Sequence, residues 1–303
     1  MYSLEGKRET RVKGKAVIIL GMHRSGTSLL TKVLSCLGLK LAEQLVKAKK
    51  CNPKGFFEDK KILHIHEELL RQLGRQWDTI RPMERDWEQS EGALEAKEQI
   101  KDHLRAEYGD RELWCLKEPR TCRLMKLWNR VFEELNLDVH YILGLRAPEE
   151  VALSLKKRNG IPKRLSLLLW LSHVLEMEFE TRSFKRSIVA YPELLNDYEA
   201  CLSRVSKQLE LSWPIALDQA RPQIDDFIDP SLKHHELEGR DSEGSLFNKV
   251  HEKVSALRDN PHSKKLLGEI DELRATSLEQ DFLARALNQL DEVRDRERLY
   301  CSK

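Results

Sequence analysis

The chain of 303 residues is long enough to bury one substantial core. Its 52 lysines and arginines face 50 aspartates and glutamates. Any preference for an anionic partner must therefore lie in local clusters, and a general nucleic-acid binder is disfavoured. With 40% hydrophobic and 34% charged residues the composition is globular and not that of a disordered chain.

The six cysteines, Cys36, Cys51, Cys115, Cys122, Cys201 and Cys301, show neither a CxxC pair nor metal-ligand spacing, so reduced thiols are expected and no metal site is indicated. The first fifteen residues are polar and carry no apolar signal region. The longest apolar stretch, LSLLLWLSHVL at 165–175, is shorter than the roughly 20 residues a membrane span needs. No membrane span is expected, and a cytoplasmic location is the default.

Taken in chain order, KAVIIL (Lys15–Leu20) reads as a buried strand; it is followed by a Gly/Ser/Thr turn and by SLLTKVLSCLGL, whose apolar residues recur at helical spacing. Helices are predicted near 58–74 and 92–108, a strand at LWCL (113–116), and a helix at 123–136. A strand at VHYILGL (139–145) leads to a helix at 148–158, opened by Pro148-Glu149-Glu150, and to another at 163–183. A fourth strand, SIVAY (187–191), precedes one helix at 193–209. Beyond Pro214 the strand signals stop. A surface loop is expected at His234–Ser245 and a charged amphipathic helix at 263–297.

Strands alternating with helices predict an α/β fold, a parallel sheet flanked by helices. The expected organisation is a flexible terminus at 1–14, an α/β domain at 15–232, and a loop with a helical extension at 233–303.

Gly21-Met22-His23-Arg24-Ser25-Gly26-Thr27-Ser28 follows a strand and opens a helix, where backbone N–H groups and the helix dipole favour phosphate. The spacing imitates GxxxxGK[ST], but Thr27 stands where a nucleotide triphosphatase needs its lysine. Arg24 offers a cation inside the loop. The same residues also suit a plain tight connection.

The segment HRSGTS (23–28) resembles the 5′-phosphosulfate loop of sulfotransferases that use 3′-phosphoadenosine 5′-phosphosulfate (PAPS), and the whole loop is most similar to bacterial members beginning GMHRSGTS. Three further segments match in order. Arg146 and Ser154, eight residues apart, resemble the pair that holds the 3′-phosphate. Leu116-Lys117-Glu118-Pro119-Arg120 resembles the KDP segment of tyrosylprotein sulfotransferases. Tyr191-Pro-Glu193-Leu-Leu resembles the structural YEDLL segment.

The resemblance implies a P-loop-like sulfotransferase fold, PAPS as donor, adenosine 3′,5′-bisphosphate as product, and no metal. His23, Arg24, Ser25, Gly26, Thr27 and Ser28 would hold the 5′-phosphate, and Arg146 and Ser154 the 3′-phosphate. Lys117 and Arg24 would stabilise charge in the transition state, and Glu58 would be the base.

Asp59, His64 and His66 lie near Glu58, and the base is open between Glu58, Asp59 and His64. Glu58 also suits a helix amino terminus. A nucleotide or adenylylsulfate kinase, and a non-catalytic PAPS-binding protein, fit the same strand, loop and helix. The resemblance implies a hydroxyl-bearing acceptor as partner, carbohydrate or another hydroxylated metabolite, with lipid-linked glycan, peptide tyrosine and small alcohol all open. Oligomeric state is not readable.

Overall fold

Four apolar runs become the strands of one parallel sheet: β1 (Lys15–Leu20), β2 (Leu113–Lys117), β3 (Asp138–Leu145) and β4 (Lys185–Ala190). This is seen in a computed structural model that describes residues 12–49, 52–228 and 245–279. The strand order is β2-β1-β3-β4, so β1 is flanked by β2 and β3 and the connection leaves it in both directions. Such a reversal opens a crevice at the carboxyl ends of the strands, where α/β sheets place ligands.

The strands are apolar without alternation because both faces are covered. Ala16, Ile18 and Leu20 of β1 join one core, and Val17 and Ile19 join the other. The smaller core is closed by α1 (Thr27–Cys36), α8 (Tyr198–Leu209) and α9 (Leu217–Phe227). The larger takes α2 (Lys60–Gln72), α3 (Glu91–Tyr108), α4 (Met125–Glu134), α5 (Pro148–Asn159) and α6 (Lys163–Glu180). The run at 165–175 is apolar all round because α6 is buried on nearly every side. Among the described residues no helix is long and apolar enough to cross a membrane.

The single helix expected at 193–209 is two: α7 (Tyr191–Asn196) and α8, broken at Asp197. The Asp197 carboxylate accepts the Ala200 amide at 3.0 Å and starts a new helix, a local bond that competes with helix continuation. Tyr191 opens α7 instead of ending the strand. Two helices carried no expectation, α9 with Pro222 inside it and α10 (Leu246–Ala256).

Of the tail at 263–297, α11 (Lys264–Glu279) is helical and the rest lies outside the described residues, as do Cys51, Cys301 and all but the last residue of the 234–245 loop. Val250, Val254 and Ile270 pack into the larger core. Fully buried Arg186 of β4 donates to the Pro261 carbonyl at 2.7 Å, which docks the segment between α10 and α11.

Two buried carboxylates anchor the start of α2 and the turn after β2. Asp59 caps α2 by accepting from the amides of Lys61 (2.9 Å) and Ile62 (3.2 Å). Its second oxygen meets His103 Nε2 at 2.7 Å and accepts from the Tyr108 hydroxyl at 3.1 Å, tying α2 to α3. Burial opposes its ionisation, but His103, the Ile62 amide and Tyr108 hold its pKa below the usual carboxylate range.

Glu118 is fully buried. It receives the Arg120 amide at 3.1 Å, the Arg120 guanidinium at 2.5 Å and His66 Nδ1 at 2.5 Å. Trp128 Nε1–H donates to His66 Nε2 at 2.9 Å, which fixes His66 as the neutral ring protonated at Nδ1. Burial would raise the Glu118 pKa, yet Arg120 first and then His66 hold it down to about 2.

Replacing Glu118 with alanine strands Arg120 and should cost about 3–5 kcal/mol, the usual consequence of breaking a buried pair. Loss of the Asp59 cap alone should cost about 0.5–2 kcal/mol. Denaturant titration of both variants checks the order. Because the folded Glu118 pKa is depressed, its contribution is complete above about pH 4.5 and is lost as pH falls towards 2. The wild-type chain should therefore lose stability over that range more steeply than Glu118→Gln.

Candidate active site

The loop between β1 and α1 leaves the head of α1 without a side-chain cap. Gly26 has φ +83° and caps α1 without a side-chain bond, and no acidic residue occupies the first turn, so the positive end of the helix dipole is not neutralised by the chain's own carboxylates. A Cβ at Gly26 would fall 2.1 Å from the Tyr191 ring, so only glycine fits. Arg24 also lies in the left-handed region, at φ +71°. The loop's base is held by the Gly21 amide donating to Cys122 Sγ at 3.2 Å.

Thr27, at the position of the usual loop lysine, is buried. Its methyl fills space beside Gly21, where an added Cβ would meet it at 2.7 Å. A lysine does stand close by, at the end of the neighbouring strand. The register Ile19↔Lys117 brings the end of β2 beside the end of β1. There Lys117 Nζ donates to Glu58 Oε1 at 2.8 Å and lies 3.5 Å from Ser28 Oγ. Ser28 Oγ in turn donates to the Phe56 carbonyl at 3.2 Å, joining α1 to the loop that carries Glu58. Lys117 and Glu58 are both buried, and burial pulls the lysine pKa down against the pull of Glu58.

The other candidates near Glu58 go elsewhere. Asp59 is the helix cap, His64 is exposed on α2, and His66 is taken by Glu118 and Trp128. The i, i+2 spacing does put the two histidines on different faces. Among the described residues no group of three or more His, Cys, Asp or Glu is arranged to hold a metal ion.

A second cationic cluster flanks the loop. Arg24 Nε donates to Ser154 Oγ at 2.7 Å, and Arg146 Nη1 donates to the Arg24 carbonyl at 3.2 Å. Arg146 sits 4.4 Å from the centre of the Tyr191 ring, pairs with Glu150 at 2.6 Å, and its own carbonyl accepts from Trp170 Nε1 at 3.0 Å. Arg146, Ser154 and Arg24, expected on one ligand, therefore meet.

Sequence reasoning missed Glu150 and the part played by Tyr191. Glu150 stands four residues after Arg146, a spacing that pairs charges on a helix. Tyr191 appeared only as a structural segment, yet its ring touches both the loop glycine and Arg146.

His23 packs edge-on against Trp77, ring centres 4.6 Å apart, and its Nε2 is buried without a hydrogen-bond partner. Burial first, then the charges of Arg120 and Arg158, hold its pKa well below the ordinary value, so the ring is neutral at physiological pH.

No protein-family model matches the sequence, and no curated protein matches it. Among solved structures the chain is similar to the sulfotransferase domain of the Synechococcus PCC 7002 olefin synthase, at TM-score 0.46 and 18% identity over 88% of this chain and 95% of that one. It is similar to the sulfotransferase domain from the curacin biosynthetic pathway, at TM-score 0.47 and 16% identity over 81% and 98%. A third similar structure is the sulfotransferase STF9 from Mycobacterium avium, at TM-score 0.43 and 15% identity over 88% and 77%.

Proposed function

We propose that the protein is a sulfotransferase that moves the sulfuryl group of PAPS to a hydroxyl acceptor. The observation that carries this reading is the contact of Lys117 with Glu58 and Ser28 at the mouth of an anion-binding loop that has no lysine of its own. Arg146 and Ser154, expected at a second phosphate, each bond to Arg24 of the same loop.

In this reading the amides of Ser25 to Ser28 hold the 5′-phosphate, and Arg146 and Ser154 hold the 3′-phosphate, with Arg24 between the two. Glu58 Oε1 is engaged by Lys117, which leaves Oε2 to take the acceptor's proton. The acceptor oxygen bonds to sulfur as the bond from sulfur to the 5′-phosphate oxygen breaks. The electron pair of that bond leaves with adenosine 3′,5′-bisphosphate, and Arg24 and Lys117 stabilise the charge that develops.

Calorimetry without metal should show adenosine 3′,5′-bisphosphate binding. Arg24→Ala and Arg146→Ala should each weaken it about tenfold or more, as expected for one charge-assisted hydrogen bond. Equal binding of ATP with Mg²⁺, or none of the bisphosphate, would favour the kinase reading instead.

Glu58→Gln should leave bisphosphate affinity nearly unchanged while lowering kcat about 10²–10⁴-fold. Lys117→Ala should lower kcat about 10²–10³-fold. Transfer from labelled PAPS measures both. Unchanged turnover in Glu58→Gln would remove the base, and binding without any turnover in the wild-type chain would leave a PAPS-binding protein.

A further inference from the structure

Arg146 is held at more points than an arginine in a surface turn needs. Its Nε donates to Glu150 Oε2 at 2.6 Å, its Nη1 donates to the Arg24 carbonyl at 3.2 Å, and its guanidinium carbon lies 4.4 Å from the centre of the Tyr191 ring. Among the described residues Nη2 has no hydrogen-bond partner, and the side chain keeps 12% of its surface open. The guanidinium is therefore fixed with its Nε position closed and its Nη2 end presented.

Neither charge nor helix stability accounts for Glu150. A carboxylate beside a phosphate site repels the ligand, so in Coulomb terms alone it is a liability there. Glu149 and Glu150 both lie in the first turn of α5, where negative charge is favourable, yet Glu149 makes no ion pair among the described residues. What sets Glu150 apart is its contact with Arg146.

Resting on the reading above, we propose that Glu150 is a positioning residue: it holds Arg146 in the orientation that meets a ribose 3′-phosphate and so sets the selectivity of the site against the 2′-phosphate isomer. Arg146 stands in the turn between β3 and α5, outside the helix, and an arginine loses much rotamer freedom when it is fixed. Glu150 and Ser154 are about one helical turn apart on α5 and share a face. The bond to Glu150 therefore ties Arg146 to the helix that carries Ser154, the other group expected at this phosphate. The spacing of the two is set before a ligand arrives, and a phosphate moved from the 3′ to the 2′ oxygen no longer meets both.

The 3′,5′- and 2′,5′-bisphosphates of adenosine carry the same charge and the same 5′-phosphate, so the ratio of their affinities largely cancels the repulsion from Glu150 and reports orientation. Calorimetry on the full chain should show the 3′,5′ isomer bound about tenfold more tightly or better, the worth of one well-placed charge-assisted hydrogen bond. Glu150→Ala should bring the two isomers to within about threefold of each other. Glu150→Gln, whose amide oxygen still accepts the Nε–H, and Glu149→Ala, which removes a charge from the same helical turn, should keep the wild-type preference. In an Arg146→Ala background, Glu150→Ala should change the ratio no further. If Glu150→Ala does not fold, Arg146→Lys, which has no Nε–H to be held, carries the same expectation. Failure of the wild-type chain to bind the 3′,5′ isomer overturns the sulfotransferase reading and this inference together. Binding of that isomer with no preference over the 2′,5′ form, or a preference that survives Glu150→Ala, overturns the role of Glu150 alone.

Discussion

A lysine and a glutamate removed from water together set the geometry of the site. Each charge buried alone would cost several kcal/mol, and their mutual attraction offsets this only at close range. The fold supplies that range from two sides. Parallel pairing carries Lys117 to the end of β1, and the Asp59 cap fixes the start of α2, so that Glu58, one residue earlier, is delivered to Lys117 at 2.8 Å. Movement of β2 or of the head of α2 by an ångström or two would separate the pair. This explains why both are tied down by buried carboxylates, β2 through Glu118 and α2 through Asp59.

Charge in this protein is organised locally. Lysines and arginines nearly balance acids overall, yet residues 151–175 contain five lysines and arginines and no aspartate or glutamate. That stretch runs from the helix bearing Ser154 through Arg158 into α6, and so borders both the loop cluster and Trp77. Field strength at a cleft depends on such placement and not on net charge. Glu150 is the opposing element: it holds Arg146 in place while Arg146 waits beside the loop.

Much of the fold was legible because its strands are central and buried on both faces, which makes them short apolar runs bounded by turns. Lys15–Leu20 was read to the residue. Helix ends set by capping were less legible. Asp197 lies inside a helical pattern and only its bond to Ala200 shows that the helix is broken there. Pro222 within α9 masked a helix that propensity disfavours. At the site, the loop, Lys117, Glu58, Arg146 and Ser154 could be named from spacing and resemblance. Their neighbours could not, since Tyr191 against Gly26 and Cys122 against Gly21 are contacts between segments far apart in sequence. Glu118 was grouped with Lys117 by adjacency, but alternation along the chain turns it into a separate buried network.

The central place of β1 has a consequence for how the protein breathes. Its residues pair with strands on both sides and are sealed beneath helices on both faces, so no fraying edge leads to them. Backbone hydrogens of Val17 to Leu20 are therefore expected to be among the slowest to exchange with solvent. The loop at 21–26 grows directly out of this doubly paired segment, so its first residues are anchored as firmly as the sheet itself. A ligand held there stabilises the entire domain through mass action, and protection of these amides would rise with its concentration.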